Sequence, residues 1–556
     1  MKFFRLRGVT LLASATTFEI SALPIPTPRV APLSAHRVVA RPLARAHAHR
    51  APRLARSPAP RSSRHLPGVG HASGSAVVMS SPIAWPEGGA VTPEWAQRLA
   101  SSLEANTRGG DPPSSLARVF PRATHDALFD ACGAILESEP TLLKLEPGPG
   151  VRVVVVGDTH GQLHDALKLI RLAGEPSPTN WFVFNGDFVD RGAWGAELFA
   201  VAMSWKVAAP RHVFLLRGNH ECEFCTEVYG YKRELQVKYG KAAGNALWRK
   251  FMRVGAALPL AAQIGAKTLV LHGGLFRGRP RPKNKGAKKK LGAKFKRLAA
   301  AADAAADGTL SPGTLADLAA ASKGGPDPDG EGAAQIAGDV LWSDPAGPDE
   351  GVPNEGMIPN ENRGIGTMFG VAATATFLRE NGLALVLRSH EGPDAREDRA
   401  GMDPMKSGFS VDHEIEGVGK LCTVFSAPDY PQFVEEGEVR HENDASFVIL
   451  EDATEWAEPR PVRFAAERPR PRSRPYYDVT VGGSDEEGPD GELARAVKRD
   501  EGEREDEDEK EKPAGGEGEE GEEDPANEDP ANEDPANEDP SSGASGEGGA
   551  PRVRAS

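Results

Sequence analysis

Five apolar runs in the middle of this chain each end in a short cluster that joins glycine or serine to aspartate, asparagine or histidine, and this recurrence constrains the fold more than any other feature. The run VRVVVV at 151–156 is β-branched apart from Arg152, the pattern of a strand covered on both faces, and it delivers GDTHG. WFVFN then leads to GDFVDRG, HVFLL to RGNHE, KTLVL to HGG and LALVL to RSH. Polar chemistry confined to the C-terminal ends of apolar strands points to an α/β protein, in which ligands collect at that edge of the sheet.

Histidine placement sharpens the reading. Of the fourteen histidines, nine lie beyond residue 86, and four of these (His160, His220, His272 and His390) stand at strand ends. One such histidine is ordinarily a satisfied core or surface residue. Four of them, accompanied by Asp158, Asp187 and Asn219, need charge partners or metal ions wherever they are buried. The donors are oxygen and nitrogen with no thiolate, which suits iron, zinc or manganese and disfavours a structural zinc knot. Two histidine-bearing halves joined by one carboxylate describe a two-metal site for in-line displacement at phosphorus.

The motifs GDTHGQ, GDFVDRG, LRGNHE, HGGL, LWSDP, NRGIG, RSH and SAPDY follow one another from residue 150 to near residue 450. In that order they resemble the signature of the metal-dependent serine/threonine phosphoprotein phosphatases. WPEGG, EVYGYKRELQVKYG, SHEGPDAR, VDH and SAPDYPQF are similar to the plant type 7 branch of that family. No calcium-binding EF-hand loop is present in the sequence, unlike the animal EF-hand-bearing relatives; DPDG at 327–330 has the wrong spacing.

The resemblance implies an α/β metallophosphoesterase fold, a central β-sandwich of mixed sheets flanked by helices, to which composition adds disordered N- and C-terminal extensions. It implies that Asp158 and His160 hold a first metal, that Asp187 bridges, and that Asn219, His272 and His390 complete a second site for Mn, Fe or Zn. A metal-bridging hydroxide would attack the phosphorus of phosphoserine or phosphothreonine directly. His220 would protonate the departing oxygen, with Asp190 orienting its ring. Arg191 and Arg363 would fork onto the phosphate, and Asn219 and Tyr430 would face the substrate. Two departures stand out, Asp429 in SAPDY where most relatives have Asn, and Pro431 where toxin-sensitive members carry Cys; they put inhibitor sensitivity in doubt. Two alternatives remain open at this point, a dinucleoside-polyphosphate hydrolase of the same superfamily and a catalytically dead scaffold. The intact ligand set speaks against the second.

The flanks have another character. Residues 1–86 carry twelve Lys/Arg against one acid, whereas residues 484–540 carry 26 acids against six bases, including three tandem EDPAN units at 523–537. The tail is read as a disordered acidic segment, since its charge self-repels and a five-residue period with proline fits no solenoid. The basic N-terminus is read as a plastid or mitochondrial transit segment over residues 1–78; a start at Met79 is the alternative and would leave a nuclear or cytoplasmic protein. The body between the flanks is mildly acidic, which gives no support to nucleic-acid binding, and no apolar stretch is long enough to span a bilayer. Four cysteines in 556 residues make no disulfide framework. Cys222 and Cys225 are read as buried thiols, with a redox pair as the alternative.

The expected organisation is therefore an extension over 1–84, a helical segment over 85–149, a catalytic domain over 150–458 with a basic insertion at 277–337, and an acidic tail over 459–556. Within the insertion, eleven of the 21 residues from 277 to 297 are basic and none is acidic, so an exposed loop is expected. Leu291, Phe295 and Leu298 fall at i, i+4 and i+7 beside lysines, which makes a helix from about 291 into 302, within the segment 283–302, a candidate for groove binding by a calmodulin-like partner, with a solvated basic loop as the alternative.

Overall fold

The valine run at 152–156 is the strand that its β-branched composition calls for, and the rest of the fold is arranged around it. The structure, a computed structural model, describes residues 81–278 and 310–479, apart from 349, 351, 353–355, 398 and 436. The expected transit segment, the calmodulin-type helix and the EDPAN repeats lie outside the described residues. In chain order the strands are β1 (Leu142–Leu145), β2 (Arg152–Val156), β3 (Asn180–Phe184), β4 (Val213–Leu215), β5 (Ala261–Ile264), β6 (Thr268–Leu271) and β7 (Asp344–Pro345). Then follow β8 (Met357–Pro359), β9 (Thr367–Phe369), β10 (Leu385–Arg388), β11 (Phe409–Ile415), β12 (Gly419–Val424), β13 (Ala445–Leu450) and β14 (Arg460–Phe464).

Among the described residues these form a six-stranded sheet ordered β1-β5-β6-β10-β12-β11, a five-stranded sheet ordered β14-β13-β2-β3-β4, and a small sheet ordered β7-β9-β8. Both large sheets are mixed: β2 runs parallel to β3 and antiparallel to β13, and β10 runs parallel to β6 and β12 while β11 is antiparallel. The two large sheets pack face to face. Val153 and Val155 of β2 share one apolar cluster with Val270 of β6 and Leu385 and Leu387 of β10. The alternate residues Val154 and Val156 face the other way, into a cluster with helical side chains such as Leu99, Phe129 and Phe199. Both faces of β2 are thus covered, and each fully buried aliphatic or aromatic side chain there contributes roughly 1.5–3 kcal/mol.

The N-terminal helices form for local reasons and are held by this core. Thr92 caps the helix Pro93–Arg108 by accepting from the backbone N–H of Trp95 at 3.3 Å, with proline at the first helical position, and Trp95, Leu99 and Leu103 recur at four-residue spacing on its buried face. The described residues contain no helix long and apolar enough to cross a membrane.

Two boundaries differ from expectation. Leu142–Leu145, placed in the helical segment by the sequence, is the edge strand β1 and pairs in parallel with β5. β14 lies beyond the expected domain end at 458 and pairs antiparallel with β13, so the catalytic domain runs further than the onset of polar composition suggests. The exposed loop expected at 277–297 lies, apart from residues 277 and 278, outside the described residues. Arg277 forms an ion pair with Asp339 at 2.6 Å, and the helix Leu315–Ala319, with a complete Thr314/Asp317 capping box, buries Leu318 in the core.

Candidate active site

Five strands, three from one large sheet and two from the other, bring their C-terminal ends to one place. β2 delivers Asp158 and His160, β3 delivers Asp187, Asp190 and Arg191, and β4 delivers Asn219 and His220. β6 and β10 of the opposite sheet deliver His272 and His390. The loops approach so closely that only glycine fits between them: a Cβ on Gly186, which has φ +90°, would lie 2.3 Å from the Gly218 backbone nitrogen. Positive φ at His160, Asp187, Asp190, Arg191 and His390 shows that the same turns also strain residues with side chains, as functional sites commonly do.

The ligand candidates are all buried, none more than 3 % exposed. Asp187 stands between two groups, one with His160 and His220 and one with Asp158 and His272, and within each group the donor atoms lie within 4.8 Å of one another. His160 Nε2 is 3.6 Å from Asp187 Oδ2, and His272 Nε2 is 3.4 Å from Asp187 Oδ1, longer than ordinary hydrogen bonds. Asn219 Oδ1 lies 2.8 Å from His272 Nε2 and 3.0 Å from His390 Nδ1, so both rings converge on the same amide oxygen. His272 Nδ1 is committed to the Asn185 carbonyl at 2.7 Å. A protonated His272 donates from Nε2 to this oxygen, whereas a neutral one would meet it lone pair to lone pair, so a metal cation between them would take the proton's place.

Electrostatics point the same way. Burial and the neighbouring Asp187 push the Asp158 carboxyl up to about 8, while Asp187, despite its burial, is held below the usual carboxylate range by His272, His220 and His160. Burial works against a charged His272, but the Asp187 carboxylate raises it to about 9. Two carboxylates and three imidazoles gathered in one buried cluster around a single shared aspartate fit a pair of metal ions.

His220 belongs to this cluster and is also paired with a second carboxylate. Its Nδ1 lies 2.8 Å from Asp190 Oδ2, and the second Asp190 oxygen accepts from the Tyr231 backbone N–H at 2.9 Å. One ring nitrogen is thus held by a buried carboxylate, and the other is left to face the cluster, its ring 4.8 Å from that of His160. Arg191 lies 3.9 Å over the Tyr229 ring, and its backbone N–H donates to the Tyr229 carbonyl at 3.1 Å. Arg363 donates through Nε to Asp344 at 3.0 Å, and Asp344 also takes Arg388 at 2.9 Å and lies 3.8 Å from His390 Nε2. Burial opposes ionisation of Asp344, but these guanidinium groups, Arg363 first, hold its carboxyl down to about 2. Tyr430 is buried, its ring 5.3 Å from His160 and edge-on to Phe425 at 5.1 Å. Every site residue expected from sequence lies at this one edge of the sandwich.

Two supporting residues escaped the sequence reading. Glu221 accepts from the backbone N–H groups of Asp187 and Gly218, each at 2.9 Å, and of Phe188 at 3.0 Å, which fixes the loop carrying the central aspartate. Asp344 organises Arg363 as described. Both stand in quoted motifs, LRGNHE and LWSDP, but only the fold shows what each one grips. Cys222 and Cys225 are buried and not joined in a disulfide, and the Cys222 sulfur accepts from the Cys225 N–H at 3.4 Å to cap the helix Glu223–Val228. Asp429 also acquires a reason, since its carboxylate takes Arg470 at 3.1 Å, Arg468 at 3.2 Å and Arg440 at 3.3 Å.

Residues 151–394 match the calcineurin-like phosphoesterase family model. Over 402 residues the chain is 44 % identical to serine/threonine-protein phosphatase 7 of Arabidopsis thaliana, covering 72 % of this chain and 93 % of that protein. The chain belongs to the serine/threonine phosphoprotein phosphatase family, in its type 7 branch. Within this family it is also similar to human serine/threonine-protein phosphatase 5, at 33 % identity over 53 % of this chain and 47 % of that protein. A solved serine/threonine phosphatase from Saccharomyces cerevisiae aligns with 65 % of this chain and 98 % of its own, at 27 % identity and a TM-score of 0.47. Phosphoprotein phosphatases of this family use two metal ions, which the ligand cluster described above accommodates.

Proposed function

We infer that this chain is a metal-dependent protein phosphatase that hydrolyses phosphoserine and phosphothreonine. The single observation that carries the reading is Asp187, buried between two sets of metal-ligand donors at the meeting point of five strand ends. When bound, the two ions neutralise phosphate charge and lower the pKa of water toward neutrality, so that it can attack phosphorus.

The residues of the chain supply the rest. Asp158 and His160 would hold one ion, Asn219, His272 and His390 the other, and Asp187 both. Arg191 and Arg363 present guanidinium groups whose forked donors match two phosphate oxygens, which a lysine cannot do. Asn219 and Tyr430 would face the substrate, Tyr430 from its buried place beside His160. His220, with Nδ1 held by Asp190, delivers a proton from Nε2 to the Ser or Thr oxygen as the P–O bond breaks, so the leaving group departs as an alcohol. The products are inorganic phosphate and the dephosphorylated protein.

Manganese, iron and zinc all suit these donors, and which of them is native is read from metal content of the protein purified from its own cells. The test of substrate class is hydrolysis of a phosphothreonine peptide against a diadenosine polyphosphate by the metal-loaded enzyme. Preference for the peptide supports the reading, and turnover of the dinucleotide alone overturns it. Two proposals concern segments outside the described residues. Calcium-dependent capture of a calmodulin-like protein by residues 283–302 rests on the apolar spacing of Leu291, Phe295 and Leu298 and is checked by titration calorimetry with and without calcium. Import into a plastid or mitochondrion rests on the acid-poor, Arg- and Ser-rich composition of residues 1–78. A fluorescent fusion of that segment decides it, since a diffuse nuclear and cytosolic signal contradicts import.

A further inference from the structure

Beyond β14 the chain does not leave the catalytic domain. Residues 465–478 run across it as a strap. The Ala465 carbonyl accepts from Lys168 Nζ at 2.9 Å, and the Glu467 backbone N–H donates to the buried Asp165 carboxylate at 2.7 Å. Arg470 is the central latch. It pairs with Asp165, donates to Asp429 at 3.1 Å, and donates to the Pro428 carbonyl at 2.7 Å, so it ties the strap to the loop that carries Tyr430. Tyr476, only 9 % exposed, then joins the largest apolar cluster, with Lys238 Nζ 5.7 Å from its ring centre.

The strap ends at the phosphate-binding edge. Gly230, with φ +109°, is the surface on which it lies: a Cβ there would meet the Tyr476 backbone and the Tyr477 ring, each at 3.2 Å. Tyr477 thereby comes to 5.9 Å from the Arg191 guanidinium, whose other close aromatic neighbour, Tyr229, is at 3.9 Å. Arg191 is 3 % exposed and has φ +61°, so its backbone is strained and its position depends on what surrounds the side chain. A guanidinium within about 6 Å of a ring centre is attracted by the ring's quadrupole, and more strongly where water is excluded.

We propose that Tyr477 is a positioning residue for phosphate recognition: latched in place through Arg470, it helps the closer ring of Tyr229 to hold the Arg191 guanidinium in its phosphate-binding orientation. The proposal rests on the phosphatase reading, and it extends the substrate-binding apparatus past the point where the composition turns polar. The ring acts here rather than the hydroxyl, so Phe serves in its place and Ala does not.

The experiment uses the full-length, metal-loaded protein with Tyr477→Ala, Tyr477→Phe and Arg470→Gln. KM and kcat on a phosphothreonine peptide are measured together with the inhibition constant of inorganic phosphate. For Tyr477→Ala, KM and the phosphate constant rise about three- to tenfold, kcat changes by less than KM, and metal content stays at the wild-type level. Tyr477→Phe restores wild-type values, and Arg470→Gln shifts the same two constants upward. A wild-type phosphate constant in Tyr477→Ala, or in Arg470→Gln where the first variant fails to fold, overturns the proposal, as does a Phe variant as impaired as the Ala one. If the wild-type enzyme does not hydrolyse the peptide, the phosphatase reading fails instead. Phosphate affinity by calorimetry then still tests what Tyr477 does for Arg191.

Discussion

His220 Nδ1 lies 2.8 Å from Asp190 Oδ2, with both side chains fully buried at the metal-ligand cluster, and this pairing fixes the orientation of the ring. The proposed role of its other nitrogen is that of an acid. His220→Ala is therefore expected to keep its metal content and lose roughly 10²–10⁴ in kcat, the usual worth of one general acid. Asp190→Asn keeps an acceptor but not the charge that favours the imidazolium, so a smaller loss is expected. Metal analysis alongside steady-state kinetics checks both, and loss of metal from His220→Ala would reassign that residue as a ligand.

Asp187→Asn is expected to behave differently, because its two oxygens face separate donor groups. Metal content and activity should fall together. A variant that kept both ions but lost turnover would show that this carboxylate acts on substrate instead.

Much of this site was legible in the sequence for a physical reason. Strands covered on both faces must be continuous apolar runs, and the polar residues that end them are confined to one edge, so Asp158, Asp187, Asn219 and His272 announced both fold and chemistry. What stayed hidden depends on distant partners. LLKL at 142–145 reads as easily as the end of a helix, and only its pairing with β5 makes it a strand. RPVRF in β14 carries two arginines and a proline, which fits an exposed edge strand but resembles the polar tail that follows. Glu221 grips three backbone N–H groups and Asp429 receives three arginines, and no local spacing encodes such contacts.

A buried ion triad supports the loop behind the site. Lys238 Nζ lies 2.5 Å from Glu197 and 2.7 Å from Glu234, and donates to the Ala193 carbonyl at 2.8 Å. Glu234 in turn accepts from the first N–H groups of the helix Gly195–Ala208. Lys238→Met leaves two buried carboxylates without their cation, and breaking such a network typically costs about 3–5 kcal/mol. Chemical denaturation should show a loss of that order, and a change below about 1 kcal/mol would mean that water replaces the ammonium.

His125 makes stability depend on pH. It is fully buried, stacked on Phe129 at 4.7 Å, and burial, reinforced by Lys238 and Lys250, lowers its pKa to about 3. Because the unfolded chain takes up the proton near pH 6.5 and the folded chain does not, this stabilisation is fully present above pH 6.5 and is lost as pH falls toward 3. His125→Phe removes the titration while keeping the aromatic packing. Urea midpoints of the variant should therefore fall less steeply than those of the wild type between pH 6.5 and 4. Parallel curves would contradict a neutral, buried imidazole.

The central claim is a dinuclear centre joined through Asp187, and metal stoichiometry measured together with turnover tests it most directly. Protein stripped by chelator should show no hydrolysis of a phosphothreonine peptide. On titration with Mn²⁺, activity should return as the protein approaches two bound equivalents, with Asp187→Asn failing to reach that occupancy. Full activity in the stripped protein, or saturation of turnover at a single equivalent, would contradict it.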